Sequence, residues 1–320
     1  MVRGDPRRLG EPVPRRFLTA LGGMAYPHPG TVRLGLAHEV ASPANPLTAR
    51  VMANRVWRHL FGRGIVATPD NFGALGERPS HPELLDYLAD RFVQEGWSVK
   101  RLIEVMVTSK AYRMSSHASP EAVEADPANA WLQHMPVRRL DAESIRDAVL
   151  AVSGELDKTM YGGPPSSRDV YGKPDGPGAS PYGDNRRSVY QEIRRNRTNP
   201  FLEVFDQPTP STTRGQRDVT NVPAQSLSLL NSPFVTGAAE AWGNRLAAGE
   251  GHSVATRVEY MYRKALGRPP SDAERDAAAA YVAGLAREEG LEQQPVLGAR
   301  RVWGRLAHTL FNFKEFIYVQ

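Results

Sequence analysis

The chain has 320 residues, a hydrophobic fraction of 41% and a net charge of +5, the profile of a globular protein with one or two domains. It contains no cysteine, which excludes disulfides, thiolate metal sites, cysteine nucleophiles and c-type haem attachment within the chain. No apolar run approaches the ~20 residues of a membrane helix, and the five arginines of Met1–Arg16 are followed by no apolar signal-peptide core.

Residues 1–30 are Pro- and Gly-rich and basic, and read as an N-terminal arm. A short helix is expected over Arg33–Val40, ended at Ser42-Pro43. Asn45 and Pro46 then supply a helix cap and first position. Leu47, Val51, Val56, Trp57, Leu60 and Phe61 supply its apolar stripe, with Gly62 and Gly64 as the stop. Ser80 and Glu83 have the spacing of a capping box for a helix that buries Leu84, Leu85, Leu88 and Phe92. Ser98 caps a third helix, with Val99, Leu102, Ile103, Met106 and Val107 as its face. Short connections make these three helices antiparallel neighbours.

Asp141 caps a further helix that ends at Gly154. Six glycines and five prolines over Tyr161–Asn185 argue for a mobile loop and a seam between two helical halves. A strand or hairpin is expected near Ser188–Tyr190. Helices follow at 223–230, 233–247, 253–266, 272–287 and 296–311. The fourth of these opens with a capping box at Ser271–Glu274. The fold class is thus mainly α: a multi-helix bundle with a short β segment and long irregular loops. Its parts are an arm (1–30), an N-terminal helical half (31–160), an irregular Arg-rich segment (161–220) and a C-terminal helical half (221–320). The two halves are compatible with one shared core.

There is no HExxH, no GxSxG and no Walker-type phosphate loop. The weak catalytic candidates are Glu143 and Asp147, paired at i,i+4 beside Arg146, together with His81. Close carboxylates can be pushed apart in pKa for acid/base work, whereas the same spacing also describes surface ion pairing. Asp86 and Asp90 repeat it. His81 reads equally as a hydrogen-bonded turn residue. Arg55, His59 and Arg63 at i, i+4, i+8 make either a solvated edge or one wall of an anion groove. Between Arg186 and Arg217 seven arginines face three acids, and only six of the 40 basic residues are lysine. Arg186, Arg187 and Arg214 are the ligand-binding candidates there, since the guanidinium fork suits carboxylate, sulfate or phosphate. The alternative is that these arginines fasten an irregular segment to the helices. No metal site and no cofactor are expected.

The segments NPLTARVMANRVWRHLFGRGIV, GERPSHPELLDYLA, RRLDAESIRDAVLAVSG, RRSVY, FDQPTP, VPAQSLSLLNSPFV and LFNFKEFIYV, in this order, resemble the planctomycete domain of unknown function 1553. The resemblance runs from about Arg3 to the end. It implies the last module of large exported proteins, periplasmic or extracellular, preceded by a companion domain and often by a cytochrome c domain. The chain opens at MVRGDPRRLGEPVPRRFL, where that family has a continuing linker, and so reads as a fragment, a truncated frame or a separately encoded half. No catalytic residue carries over from the family. The first functional expectation is a noncatalytic or scaffold module of an extracytoplasmic assembly, linked to polysaccharide handling. The alternatives are an enzyme acting on an anionic polysaccharide, with Glu143 and Asp147 as acid and base and Arg55, Arg186 and Arg187 on the anion, and a nucleic-acid binder, the least favoured.

Overall fold

The structure, a computed structural model, describes residues 4–23, 25–26, 32–163, 182–193, 195, 198–249, 253–291 and 295–319. It is mainly α-helical, with twelve α-helices and one two-stranded sheet among the described residues. The chain divides into two compact units, Met1–Pro136 and Val137–Gln320. That division lies ahead of the Gly/Pro-rich stretch that the sequence offers as a seam, of which residues 164–181 fall outside the described residues.

In the N-terminal unit, α1 (Val32–Val40) is followed by α2 (Pro46–Phe61), α3 (Pro82–Gln94), α4 (Val99–Val107) and α5 (Pro120–Ala125). Asn45 caps α2 by accepting from the Leu47 amide at 3.0 Å, and Pro46 occupies the first helical position, where its missing N–H costs nothing. Trp57 is 8% exposed and stacks on Phe61 with ring centroids 4.0 Å apart. Leu85, Leu88, Phe92, Leu102 and Met106 complete this core. Inside it the fully buried Asn54 clamps Val66, donating to its carbonyl at 2.9 Å and accepting from its amide at 2.8 Å. One side-chain amide thereby satisfies two backbone groups that lack a ladder.

Two expectations for this unit fail. Ser80 does not cap α3. The cap position is His81, without a side-chain bond, because the Ser80 hydroxyl goes to the Ile65 carbonyl and the His81 ring. On α4, Leu102 and Met106 are buried but Val99 and Ile103 are exposed, so its apolar stripe is broader than the surface it covers.

The C-terminal unit holds α6 (Ala142–Ser153), α7 (Pro200–Val204), α8 (Pro223–Asn231), α9 (Pro233–Ala247), α10 (Val254–Leu266), α11 (Asp272–Glu288) and α12 (Arg300–Phe311). Two residues at each end of the unit form the sheet: β1 (Arg138–Arg139) pairs antiparallel with β2 (Tyr318–Val319). The core centres on α9 and α12, with Trp242, Leu246, Trp303, Leu306, Leu310 and Phe311 almost wholly buried. These two helices approach closely because glycines meet at the crossing. A Cβ on Gly243 would lie 2.4 Å from the Gly304 amide nitrogen and 2.5 Å from the Arg300 carbonyl. The Ser271–Glu274 capping box forms as read. Ser188–Tyr190 is a 3-10 turn, not a strand, because the Ser188 amide is consumed by a side chain of α6 and has none to offer a neighbouring strand. Helix α12 begins at Arg300, four residues later than expected, after a separate 3-10 turn at Val296–Gly298.

Candidate functional site, a cleft beside one helix of the C-terminal unit

Helix α6 buries Ala142, Ile145, Val149 and Leu150, which sets Glu143 and Asp147 on its flank. The stripe has one foreign member: Arg146, at the i+4 position from Ala142, is 1% exposed. Its guanidinium is spent on backbone. Nε donates to the Tyr182 carbonyl at 3.1 Å and Nη1 to the Arg186 carbonyl at 2.9 Å, while Nη2 donates to the Asp184 carbonyl. Burial pushes the Arg146 pKa down, against the pull of Asp147 and Asp184. A planar fork with five donors satisfies carbonyls of a segment that is otherwise tied to its neighbours by an isolated β-bridge between Asp157 and Arg186. An arginine inside an apolar stripe is the sequence signal for this anchor.

The fastened segment passes beside α6 and leaves a cleft of about 440 Å³. The cleft is lined by Asp141, Glu143, Ser144 and Asp147 from the helix and its start. Arg187–Val189, Gln191–Ile193, Thr198, Asn199, Leu202, Gln207, Pro210 and Arg217 complete it. Asp147 accepts from the Ser188 amide at 2.8 Å and its hydroxyl at 2.7 Å. Glu143 accepts from Arg217 at 2.6 Å. Burial opposes the Arg217 charge, but the bond to Glu143 outweighs it and raises the Arg217 pKa. Asp141 stands at the cap position of α6 yet makes no side-chain cap bond. This corrects its expected role as a cap and leaves its carboxylate facing out.

Behind the cleft, Arg139 pairs with Asp206 at 2.7 Å and bonds the Thr220 carbonyl. Burial pushes the Asp206 carboxyl up, but hydrogen bonds from Thr220 and Arg139 outweigh it and hold the group below its ordinary range. Asp206 has φ 64°, a left-handed turn that a short polar side chain tolerates. This lock fixes the segment carrying Gln207 and Pro210.

The candidates from the sequence separate. Glu143, Asp147 and Arg187 line the cleft. Arg186 does not: it bonds the carbonyls of Thr159, Tyr161 and Gly163 and lies over the Tyr190 ring at 4.4 Å. Arg214 pairs with Asp218. Arg194 and Arg197 lie outside the described residues. His81 in the N-terminal unit shares a hydrogen bond with Ser80 and meets Trp131 edge-on at 5.2 Å. In the same unit Arg55 and His59 are exposed on α2, and Arg63, past the helix end, pairs with Glu77 at 3.6 Å. Asp86 is paired with Arg50 at 2.7 Å, and that hydrogen bond lowers its pKa. Asn199 and Gln207 lie in segments with no periodicity and were not legible as cleft residues, and Asp141 was read only as a cap. Among the described residues no group of three or more histidine, aspartate or glutamate side chains is placed to hold a metal ion, and no helix is long and apolar enough to cross a membrane.

Residues 32–282 match the model of the family described as PSD1, protein of unknown function (DUF1553). The chain belongs to this family. The match to DUF1553 spans α1 to α11 without the end of α11, and so includes every residue of the cleft. No curated protein and no solved structure matches the chain.

Proposed function

We propose that this DUF1553 chain is a noncatalytic module that holds a saccharide segment in the α6 cleft, within a larger extracytoplasmic assembly. The observation that carries the reading is the state of the two carboxylates. Glu143 and Asp147 are bonded to Arg217 and to Ser188, so they act as fixed acceptors that shape a wall. The cleft volume of about 440 Å³ falls in the range of small-ligand sites. Its lining alternates polar groups with Val189, Ile193, Leu202 and Pro210, which suits a ring with one apolar face and a polar rim. The extracytoplasmic setting, and a cytochrome c domain as companion, come from the resemblance to exported planctomycete proteins.

The enzyme reading keeps one observation in its favour, the two carboxylates on a single cleft wall. Acid/base work would require freeing them from Arg217 and Ser188 during turnover. A nucleic-acid surface would need arginines open to phosphate, and Arg186, Arg214 and Arg217 are engaged within the chain.

Calorimetric titration of the full chain against neutral, amine-bearing and uronate oligosaccharides tests the reading, alongside a reducing-end assay. Saturable binding is expected, lost in Ser144→Trp, which fills the cleft from an exposed helix position, with no change in thermal midpoint. Absence of binding across the panel removes the reading. Release of reducing ends replaces it with the enzyme.

A further inference from the structure

Four of the five tryptophans are packed: Trp57, Trp242 and Trp303 are buried, and Trp97 leans on the N-terminal core. Trp131 is 65% exposed. The loop that carries it is tightly built. The buried Asp126 carboxylate accepts from the Trp131 amide at 2.7 Å. Asn129 Oδ1 accepts from the Gln133 amide at 2.9 Å, and Asn129 Nδ2 donates to the His134 carbonyl at 2.8 Å. Asn129 and Leu132 have φ 47° and 52°, a left-handed backbone that is unfavourable for a leucine, and Leu132 packs against the core. Strain of this kind persists where its surroundings over-determine it, and it clusters at ligand clamps. Here its product is an indole left in water.

His81 stands beside that indole. The two rings meet at 78°, with centroids 5.2 Å apart. The Ser80 hydroxyl donates to the Ile65 carbonyl at 3.3 Å and lies 3.0 Å from His81 Nδ1. With its proton on that carbonyl, the hydroxyl accepts from Nδ1–H, which leaves Nε2 of the neutral ring as an acceptor. No hydrogen bond engages Nε2 among the described residues.

We propose that Trp131 and His81 form a second saccharide site, in the N-terminal unit, that takes a neutral pyranose ring. It is separate from the α6 cleft and does not rest on the reading of that cleft. The C–H face of a pyranose lies against the negative face of the indole, and a sugar hydroxyl donates to His81 Nε2. A protein partner fits less well. Between Pro120 and Pro136 the other exposed large apolar side chain is Val123, whereas an interface core needs a contiguous apolar patch. One stacked ring and one hydrogen bond support a Kd on the order of millimolar.

The test follows the indole N–H signals of the five tryptophans by nuclear magnetic resonance of the full chain as cellotetraose is added. The signal missing from Trp131→Ala belongs to Trp131, and that variant is expected to melt as the wild type does. The Trp131 signal is expected to move saturably while the others stay; the α6 cleft contains no tryptophan. The same response is expected in Ser144→Trp, which fills the cleft. His81→Phe keeps a ring beside the indole and removes the acceptor, and is expected to weaken the response about three- to tenfold. A Trp131 signal that stays still at cellotetraose well above millimolar overturns the site and leaves the cleft reading untouched. Loss of the response in Ser144→Trp overturns its separateness from the cleft. Wild-type affinity in His81→Phe overturns the acceptor role. Hexaproline or choline moving the signal at a lower concentration than the sugar assigns the indole to a peptide or a cation and overturns the saccharide.

Discussion

Arg146 Nη1 donates to the carbonyl oxygen of Arg186 at 2.9 Å, from a side chain 1% exposed. A buried guanidinium thus holds a stretch of backbone that otherwise pairs through an isolated β-bridge between Asp157 and Arg186. Arg187, Ser188, Val189 and Gln191, which line the cleft, belong to the segment that this contact anchors.

Arg146→Met is expected to destabilise the C-terminal unit by roughly 3 kcal/mol, the cost of stripping partners from several buried carbonyls. Arg146→Lys should recover little, because a single ammonium cannot span the fork. Scanning calorimetry of both variants checks this. A shift of under a degree in either would show that the segment holds without its anchor.

The two glycines at the crossing of α9 and α12 should behave oppositely. Gly243→Ala places a methyl 2.4 Å from backbone and is expected to cost about 1–3 kcal/mol or more as the helices part. Gly304→Ala meets nothing closer than 3.5 Å and should be neutral or gain up to ~1 kcal/mol from helix propensity. Urea unfolding of the pair decides it, and equal effects would contradict the described packing.

Trp57→Ala removes the largest member of the N-terminal core, stacked on Phe61, and is expected to cost about 3–5 kcal/mol. A melt of the N-terminal unit that moves by only a degree or so would place the indole outside the core.

Acid stability should depend on Arg268, which bridges Glu274 at 2.8 Å and Glu315 at 2.7 Å. Its hydrogen bond, with help from the Ser271 amide, lowers the Glu274 pKa from 4.5 to about 2. A carboxylate depressed on folding adds stability that is full above its unfolded value and disappears as pH falls toward the folded one. The contribution is therefore lost between about pH 4.5 and 2. Arg268→Ala should flatten that limb of the stability profile and leave its shape near neutrality unchanged. A wild-type slope persisting in the variant would assign the acid limb to other carboxylates.

Much of the helical scaffold was legible from caps and stripes. Asn45-Pro46, Ser98 and Ser271–Glu274 each sit where a side-chain acceptor meets free amides. The short helices α5 and α7 escaped, though Ser119 and Asn199 cap them, because five or six residues show no period. Ser188–Tyr190 misled because a valine and a tyrosine favour strands, while the backbone there answers to Asp147. Of the cleft, only Glu143 and Asp147 on their helix and Arg187 could be picked out. Their bonds to Arg217 and Ser188 join positions 74 and 41 residues apart, and no local pattern encodes such pairings.

The ribbon between Arg138–Arg139 and Tyr318–Val319 sets a timetable for synthesis. The C-terminal unit cannot close until its final residues have left the ribosome, so its early helices emerge with the α9–α12 core still unassembled. Refolding in the test tube faces the same long loop before any contact across it is rewarded. The slow step in this chain's maturation is therefore expected at that closure, after the helices themselves have formed.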